Sequence, residues 1–239
     1  LIGKTSQTNS SYKLDVNGDI NISAGNYLGI NGIRVLRDNP NSGDNNVFVG
    51  DYADTNSSPG FRNVAVGSYA MAANQGAYNT AVGSTSLQSN TLGNSNAAVG
   101  EKSLQKNSIG SYNAAFGSGA LQNNTTGNDN VAIGFQSSYS NAGDDNIGLG
   151  YQSLYSNTAA DNIALGYHSM YSNTTGDNNI AIGPIALYKN TTGKSNTVVG
   201  SNALYSNTTG NYNSAFGNDA LNYNTVGYDN TGMGDEVLF

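Results

Sequence analysis

The sequence predicts an all-β fold, a parallel β-roll or β-solenoid built from about twelve coils of 16 or 17 residues. Three observations carry this expectation. Glycine returns at Gly50, Gly67, Gly83, Gly100, Gly117, Gly134, Gly150, Gly166, Gly183, Gly200, Gly217 and Gly234, and an asparagine stands four residues before each one, from Asn46 to Asn230. The unit is too short for a pair of helices, since helical repeats run above about 30 residues. Each unit also carries two turn signals, one at each asparagine-containing corner, which leaves room for short strands only.

The elements follow in order. Residues 1–43 do not share the period and read as an N-terminal hairpin segment and linker, whereas 44–239 form the repeat array. Strands at 12–16 and 19–22 flank Asn17-Gly18, and strands at 27–30 and 33–36 flank Asn31-Gly32. Asn-Gly accepts the positive φ angles of a tight hairpin turn. Residues 38–46, rich in Asn, Asp, Ser and Gly, connect to the array. Within the array two short strands per unit are expected. Alternation in Val131-Ala132-Ile133 sends alanine to one face and its neighbours to the other. So thin a coil is expected to hold only small groups, namely the middle alanines (Ala132, Ala164, Ala181) opposite an Ala or Ser column (Ser137, Ser169, Ala186).

The larger residues beside the alanines then lie outside. Val64 and Val66, Ile147 and Leu149, Ile163 and Leu165, and Ile180 and Ile182 form an apolar stripe larger than the few hundred Å² that soluble monomers usually expose. The stripe predicts oligomerisation, closed most simply around a threefold axis; the alternative is a coil wide enough to take these residues inside. Two asparagine columns, one before the glycine and one from Asn74 to Asn224, read as turn ladders whose amides bond from coil to coil. Eleven steps at strand spacing give a rod of about 50–55 Å.

Composition excludes several functions. There is no cysteine or tryptophan, so no disulfide framework or thiolate metal site is available. The formal charge is −7 with nine Lys and Arg, too few and too scattered for a nucleic-acid surface. No run of eighteen apolar residues occurs, so membrane insertion is not expected, and residues 1–4 do not resemble a signal peptide. The ending at 235–239, five residues into a repeat, reads as part of something longer.

No catalytic constellation, cofactor site or metal site is expected, and the chain reads as a non-enzyme. His168 occupies a variable position two after Gly166 and reads as a solvated surface residue. Asp129, Asp145 and Asp161, with Asp144 and Asp177 nearby, read as solvated turn aspartates rather than a Ca2+ site. The glycines around Gly143 and Gly150 lack the Lys-Ser/Thr of a phosphate loop. The surface feature that points to a ligand is aromatic. Tyr139, Tyr155, Tyr171, Tyr188 and Tyr205 stand five after the glycine, and Phe135, Tyr151 and Tyr167 directly after it. Such columns either stack on each other to stabilise the sheet or offer a glycan- or partner-binding surface. Earlier units carry Gln88, Gln105 and Gln122 in place of the first column.

Asn130-Val131-Ala132-Ile133-Gly134 followed by Ser137 resembles the head repeat of trimeric autotransporter adhesins, a left-handed parallel β-roll. The longer form, Ala-Leu-Tyr-Ser-Asn-Thr-Thr-Gly from Ala203 to Gly210, is similar to repeats of phage tail-fibre and related bacterial surface proteins. The segment Tyr12-Lys13-Leu14-Asp15-Val16-Asn17-Gly18-Asp19-Ile20 is similar to one found in the same group, often with a C-terminal intramolecular chaperone. The resemblance implies a left-handed homotrimer, part of a tail fibre, extracellular particle or bacterial cell-surface fibre. Its partners would be other fibre or particle proteins and a host or surface receptor such as a glycan. The chain departs from the adhesins in its longer period and in having no coiled-coil stalk or membrane anchor, and from complete tail fibres in having no chaperone. An alternative is a monomeric ice- or surface-binding β-solenoid, suggested by Thr125-Thr126, Thr174-Thr175, Thr191-Thr192 and Thr208-Thr209.

Overall fold

The structure, a computed structural model, describes residues 27–30 and 33–37 as backbone strands and residues 45–56 and 60–238 in full. Strands β1 (Tyr27–Ile30) and β2 (Ile33–Arg37) pair antiparallel from Tyr27↔Arg37 to Ile30↔Ile33. This is the second of the two expected hairpins; the first, at 12–22, lies outside the described residues, as do Asn31-Gly32 and residues 38–44 of the connection. Strand β2 pairs antiparallel with β3 (Val47–Val49) through Arg37↔Phe48.

From β3 onward every pairing is parallel. The strands are β4 (Val64–Val66), β5 (Thr80–Val82), β6 (Ala97–Val99), β7 (Ala114–Phe116), β8 (Val131–Ile133), β9 (Ile147–Leu149), β10 (Ile163–Leu165), β11 (Ile180–Ile182), β12 (Thr197–Val199), β13 (Ser214–Phe216) and β14 (Thr231–Met233). The sheet has fourteen strands in sequence order. Equivalent residues face each other, as in Ile163↔Ile180 and Ala164↔Ala181, so the sequence period becomes a stack of coils. The result is a β-solenoid of about eleven turns.

From β3 onward the repeat glycine follows the last residue of each strand, and geometry explains why nothing else stands there. Gly150 has φ +133, and a Cβ on it would lie 2.6 Å from the carbonyl oxygen of Gly166 in the next coil. The position combines a backbone region that L side chains rarely adopt with close contact between coils.

The expected second strand of each unit does not form. In the run after the glycine, the residues two and four further on take left-handed angles, as at His168 (φ 51) and Met170 (φ 52), or Asn202 (φ 53) and Leu204 (φ 49). The run still bonds from coil to coil: His168 N–H donates back to Tyr151 O (3.0 Å), while Met170 N–H donates forward to Ala186 O (2.9 Å). The physical reason is side-chain placement. A strand sends consecutive side chains to opposite faces, yet Ser169 and Met170 are both fully buried, as are Ala203 and Leu204. Two inward side chains in succession require the backbone to turn between them. A left-handed angle at leucine costs roughly 1–2 kcal/mol, and leucine burial worth about 1.5–3 kcal/mol offsets it.

The interior also differs from the small-residue core expected. The middle alanines and the facing Ala or Ser column are buried as anticipated, but Met71, Leu87, Leu104, Leu121, Leu154, Met170, Leu187 and Leu204 lie wholly inside with them. The turned backbone leaves room for one large side chain per coil. The core divides at one place, into a cluster ending at Ala132 and another beginning at Leu154. Between them Ser138 stands in the leucine column and Gly148 in the alanine column. Ser137 Oγ donates to Gly148 O (2.8 Å), whereas the buried Ser138 hydroxyl has no hydrogen-bond partner.

Both corners are asparagine ladders, as the two columns predicted. Asn179 N–H donates to Asn162 Oδ1 (3.0 Å), and its side-chain amide donates to Asn162 Oδ1 (3.2 Å) and Gly193 O (2.8 Å). Its own carbonyl oxygen accepts from Asn196. In the second column Asn190 Nδ2 donates to Asn173 Oδ1 (2.7 Å) and Gly193 O (2.9 Å). These amides are buried and stabilise corners where ordinary sheet bonding stops.

Candidate functional site

Two outward surfaces flank the core. On the strand side Val64, Val66, Ile147, Leu149, Ile163 and Ile180 are half-buried, and Leu165 and Ile182 are exposed at 42% and 37%. All eight lie outside the coil, so the wider-coil alternative is not what forms. They stack in register, Ile163 on Ile147 and Ile180, and Leu165 on Leu149 and Ile182, giving an apolar band along the sheet.

The other surface is the run after the glycine, and it holds the aromatic columns. Tyr139, Tyr155, Tyr171, Tyr188 and Tyr205 form one unbroken ladder with centroid spacings of 5.0, 5.0, 5.4 and 5.4 Å and interplanar angles of 12° or less. Phe135, Tyr151 and Tyr167 form a parallel ladder at 5.4 and 5.5 Å. The coil spacing sets these distances, and the rings meet it by offset stacking, worth about 0.5–1.5 kcal/mol per pair. Tyr155, Tyr171 and Tyr188 therefore have ring neighbours on both sides, and what they offer a partner is ring edge and hydroxyl. Burial, followed by the neighbouring tyrosines, raises the Tyr155 and Tyr188 phenol pKa values above the usual range. Tyr171→Ala removes two stacked neighbours and Tyr139→Ala one. Urea unfolding should show a greater loss of stability for the first, by about 1 kcal/mol.

His168 lies on the outer surface, as expected from sequence, but is half-buried there. Its ring lies between the two ladders, 4.0 Å from Tyr167 and 4.9 Å from Tyr171, and Nε2 is 2.9 Å from Gln152 Oε1. Gln152 in turn donates to Gln136 Oε1 at 2.7 Å. Burial lowers the His168 pKa below its ordinary value. The signal was present in Gln136 and Gln152 at the equivalent positions, which make a polar rung that histidine continues. Gln88, Gln105 and Gln122 form the same kind of amide ladder, at 3.2 and 3.0 Å, in the coils before the tyrosines begin.

The turn aspartates have a backbone role. Asp129, Asp145 and Asp161 take φ 56, 56 and 60, a conformation that Asp and Asn tolerate better than most side chains. Asp144 Oδ1 accepts the Asn128 N–H at 2.7 Å. No group of three or more His, Asp or Glu side chains converges among the described residues. The first threonine of three of the Thr-Thr pairs is engaged within the chain: the Thr174, Thr191 and Thr208 hydroxyls each donate to a carbonyl of the next coil at 2.8–3.0 Å.

The chain matches no protein-family model, no curated protein and no solved structure. Its function is therefore argued from these surfaces.

Proposed function

We propose that the chain is a structural and adhesive segment of a homotrimeric fibre, of the kind carried by phage tails, extracellular particles or bacterial surfaces, and that it contributes to host or surface attachment. The observation that carries this reading is the apolar band. The third residue of each strand from Val49 to Met233 is apolar and lies on the outer face, in a chain with only 10% charged residues. The first residue joins it at Val47, Val64 and from Val131 to Ile180, with Thr80, Ala97, Ala114, Thr197, Ser214 and Thr231 interrupting that second column. Such a band needs a cover of similar length, and further copies of the same rod supply one in matching register. The similarity of the repeat to adhesin heads and tail-fibre segments supports three copies. The ladder surface lies across the core from the band and stays open to a receptor in this arrangement.

No helix among the described residues is long and apolar enough to cross a membrane. The reading needs none, because attachment here is a property of a projecting rod. The test is a double substitution, Leu165→Lys with Ile182→Lys. Both side chains point away from the core, so coil folding should persist by circular dichroism while the assembly falls apart into single chains. Retention of the wild-type mass by the double variant would defeat the proposal.

A further inference from the structure

The tyrosine ladder stops at a defined place. Tyr205 stacks on Tyr188, but the equivalent position in the next coil is Asn222, a smaller side chain held against the backbone. Asn222 Nδ2 donates to Asp219 Oδ1 (2.7 Å) and to Asn202 O (3.2 Å), leaving its side-chain carbonyl oxygen as an acceptor. Beside the vacant rung there is an open groove of about 400 Å3, lined by Tyr205, Tyr223, Asn222, Asn202, Ile185 and Lys189 among others. That volume falls within the range of about 300–1,000 Å3 typical of ligand sites. The Lys189 ammonium lies 4.7 Å from the centre of the Tyr205 ring.

We infer that this groove is a binding subsite for one acidic pyranose residue, which takes the place of the missing rung against Tyr205 and pairs its carboxylate with Lys189. Aromatic rings at the inner rungs have ring neighbours on both sides, whereas among the described residues Tyr205 stacks on Tyr188 alone and carries the Lys189 ammonium over its ring, a flexible side chain that a carboxylate can draw aside. The polar groups favour a sugar over a plain aryl ring. Asn202, Asn222 and Ser206 offer hydrogen bonds around the edge of a ring, and hydroxyls of a pyranose match them while aryl C–H groups do not. The ammonium supplies the acid preference, in a chain whose formal charge of −7 otherwise repels anions. Ile185 adds an apolar wall for the C–H face of the sugar.

The inference names a ligand for the attachment surface and so rests on the attachment reading, but binding is measured on the chain independently of its oligomeric state. The experiment is saturation-transfer NMR on the whole chain with methyl β-D-glucuronide, and with methyl β-D-glucoside as the neutral comparison. Transfer to the glucuronide is expected, with the glucoside weaker by about tenfold, the effect of one charge-assisted hydrogen bond. Lys189→Gln should remove that difference. Asn222→Tyr should fill the vacant rung with the ladder's own side chain and abolish transfer, with circular dichroism unchanged, while Gln105→Ala in the amide ladder of the earlier coils should leave binding as in the wild type. Absence of transfer to either glycoside, equal transfer to both, or binding that survives Asn222→Tyr would overturn the inference. A trimer that fails to bind would leave the fibre reading standing; a monomer that binds would remove the fibre and keep the subsite.

Discussion

Gly150→Ala should lower unfolding stability by about 2–6 kcal/mol, combining an unfavourable backbone region with overpacking. The added methyl would lie 2.6 Å from Gly166 O and 2.8 Å from Gly166 C, both main-chain atoms of the next coil, at φ +133. Neither partner is the end of a flexible side chain, so relief requires the coils to separate. Gly119→Ala is the matched control. Gly119 has φ +69, and the equivalent positions one coil either side carry Lys102 (φ 58) and Gln136 (φ 50) without difficulty. Its nearest obstacle is the Gln136 side chain at 3.1 Å. Urea denaturation of both variants should give a large loss at Gly150 and a small one at Gly119; equal losses would show that close coil contact is not what selects glycine.

The second large effect is expected at the buried corner. Asn179→Asp is nearly isosteric, but an ionised carboxyl has no proton to give Gly193 O, which the amide now bonds at 2.8 Å, and it faces Asn162 Oδ1 at 3.2 Å. An unpaired buried charge of this kind costs about 3–5 kcal/mol. The pH dependence follows from the sign of the shift. Burial disfavours the charged form and raises the folded-state pKa of the introduced carboxyl above its unfolded value of about 3.9. The destabilisation is therefore complete above the folded pKa and shrinks as pH falls toward the unfolded one, where the neutral acid regains a proton to donate. Urea midpoints at neutral and acid pH should show the variant approaching the wild type in acid. A gap independent of pH would mean that the site is open to water.

Much of this architecture was legible because a strict period translates directly into register. The glycine spacing gave the number of coils, the two asparagine columns gave the amide ladders, and alternation in segments such as Val131-Ala132-Ile133 placed alanine inside. The run after the glycine was misread for an identifiable reason. Period-2 reasoning admits only strands, and it has no means of placing Ser169 and Met170 side by side in the core. Adjacent inward columns of small and large residues were the available signal that the backbone turns between them. The same misreading made the coil seem too thin for leucine. The aromatic columns were located correctly, but their mutual stacking depends on how the rings tilt to meet the coil spacing. His168 shows the limit of judging one residue by its variability, since its role comes from Gln152 below it and the rings on either side.

The central claim is that the outward Val, Ile and Leu band is covered by further copies of this chain. Absolute mass by multi-angle light scattering tests it most directly. The account predicts about 74 kDa, three times the 24.7 kDa chain, held on dilution to micromolar concentration. A particle of 24.7 kDa at those concentrations would contradict it.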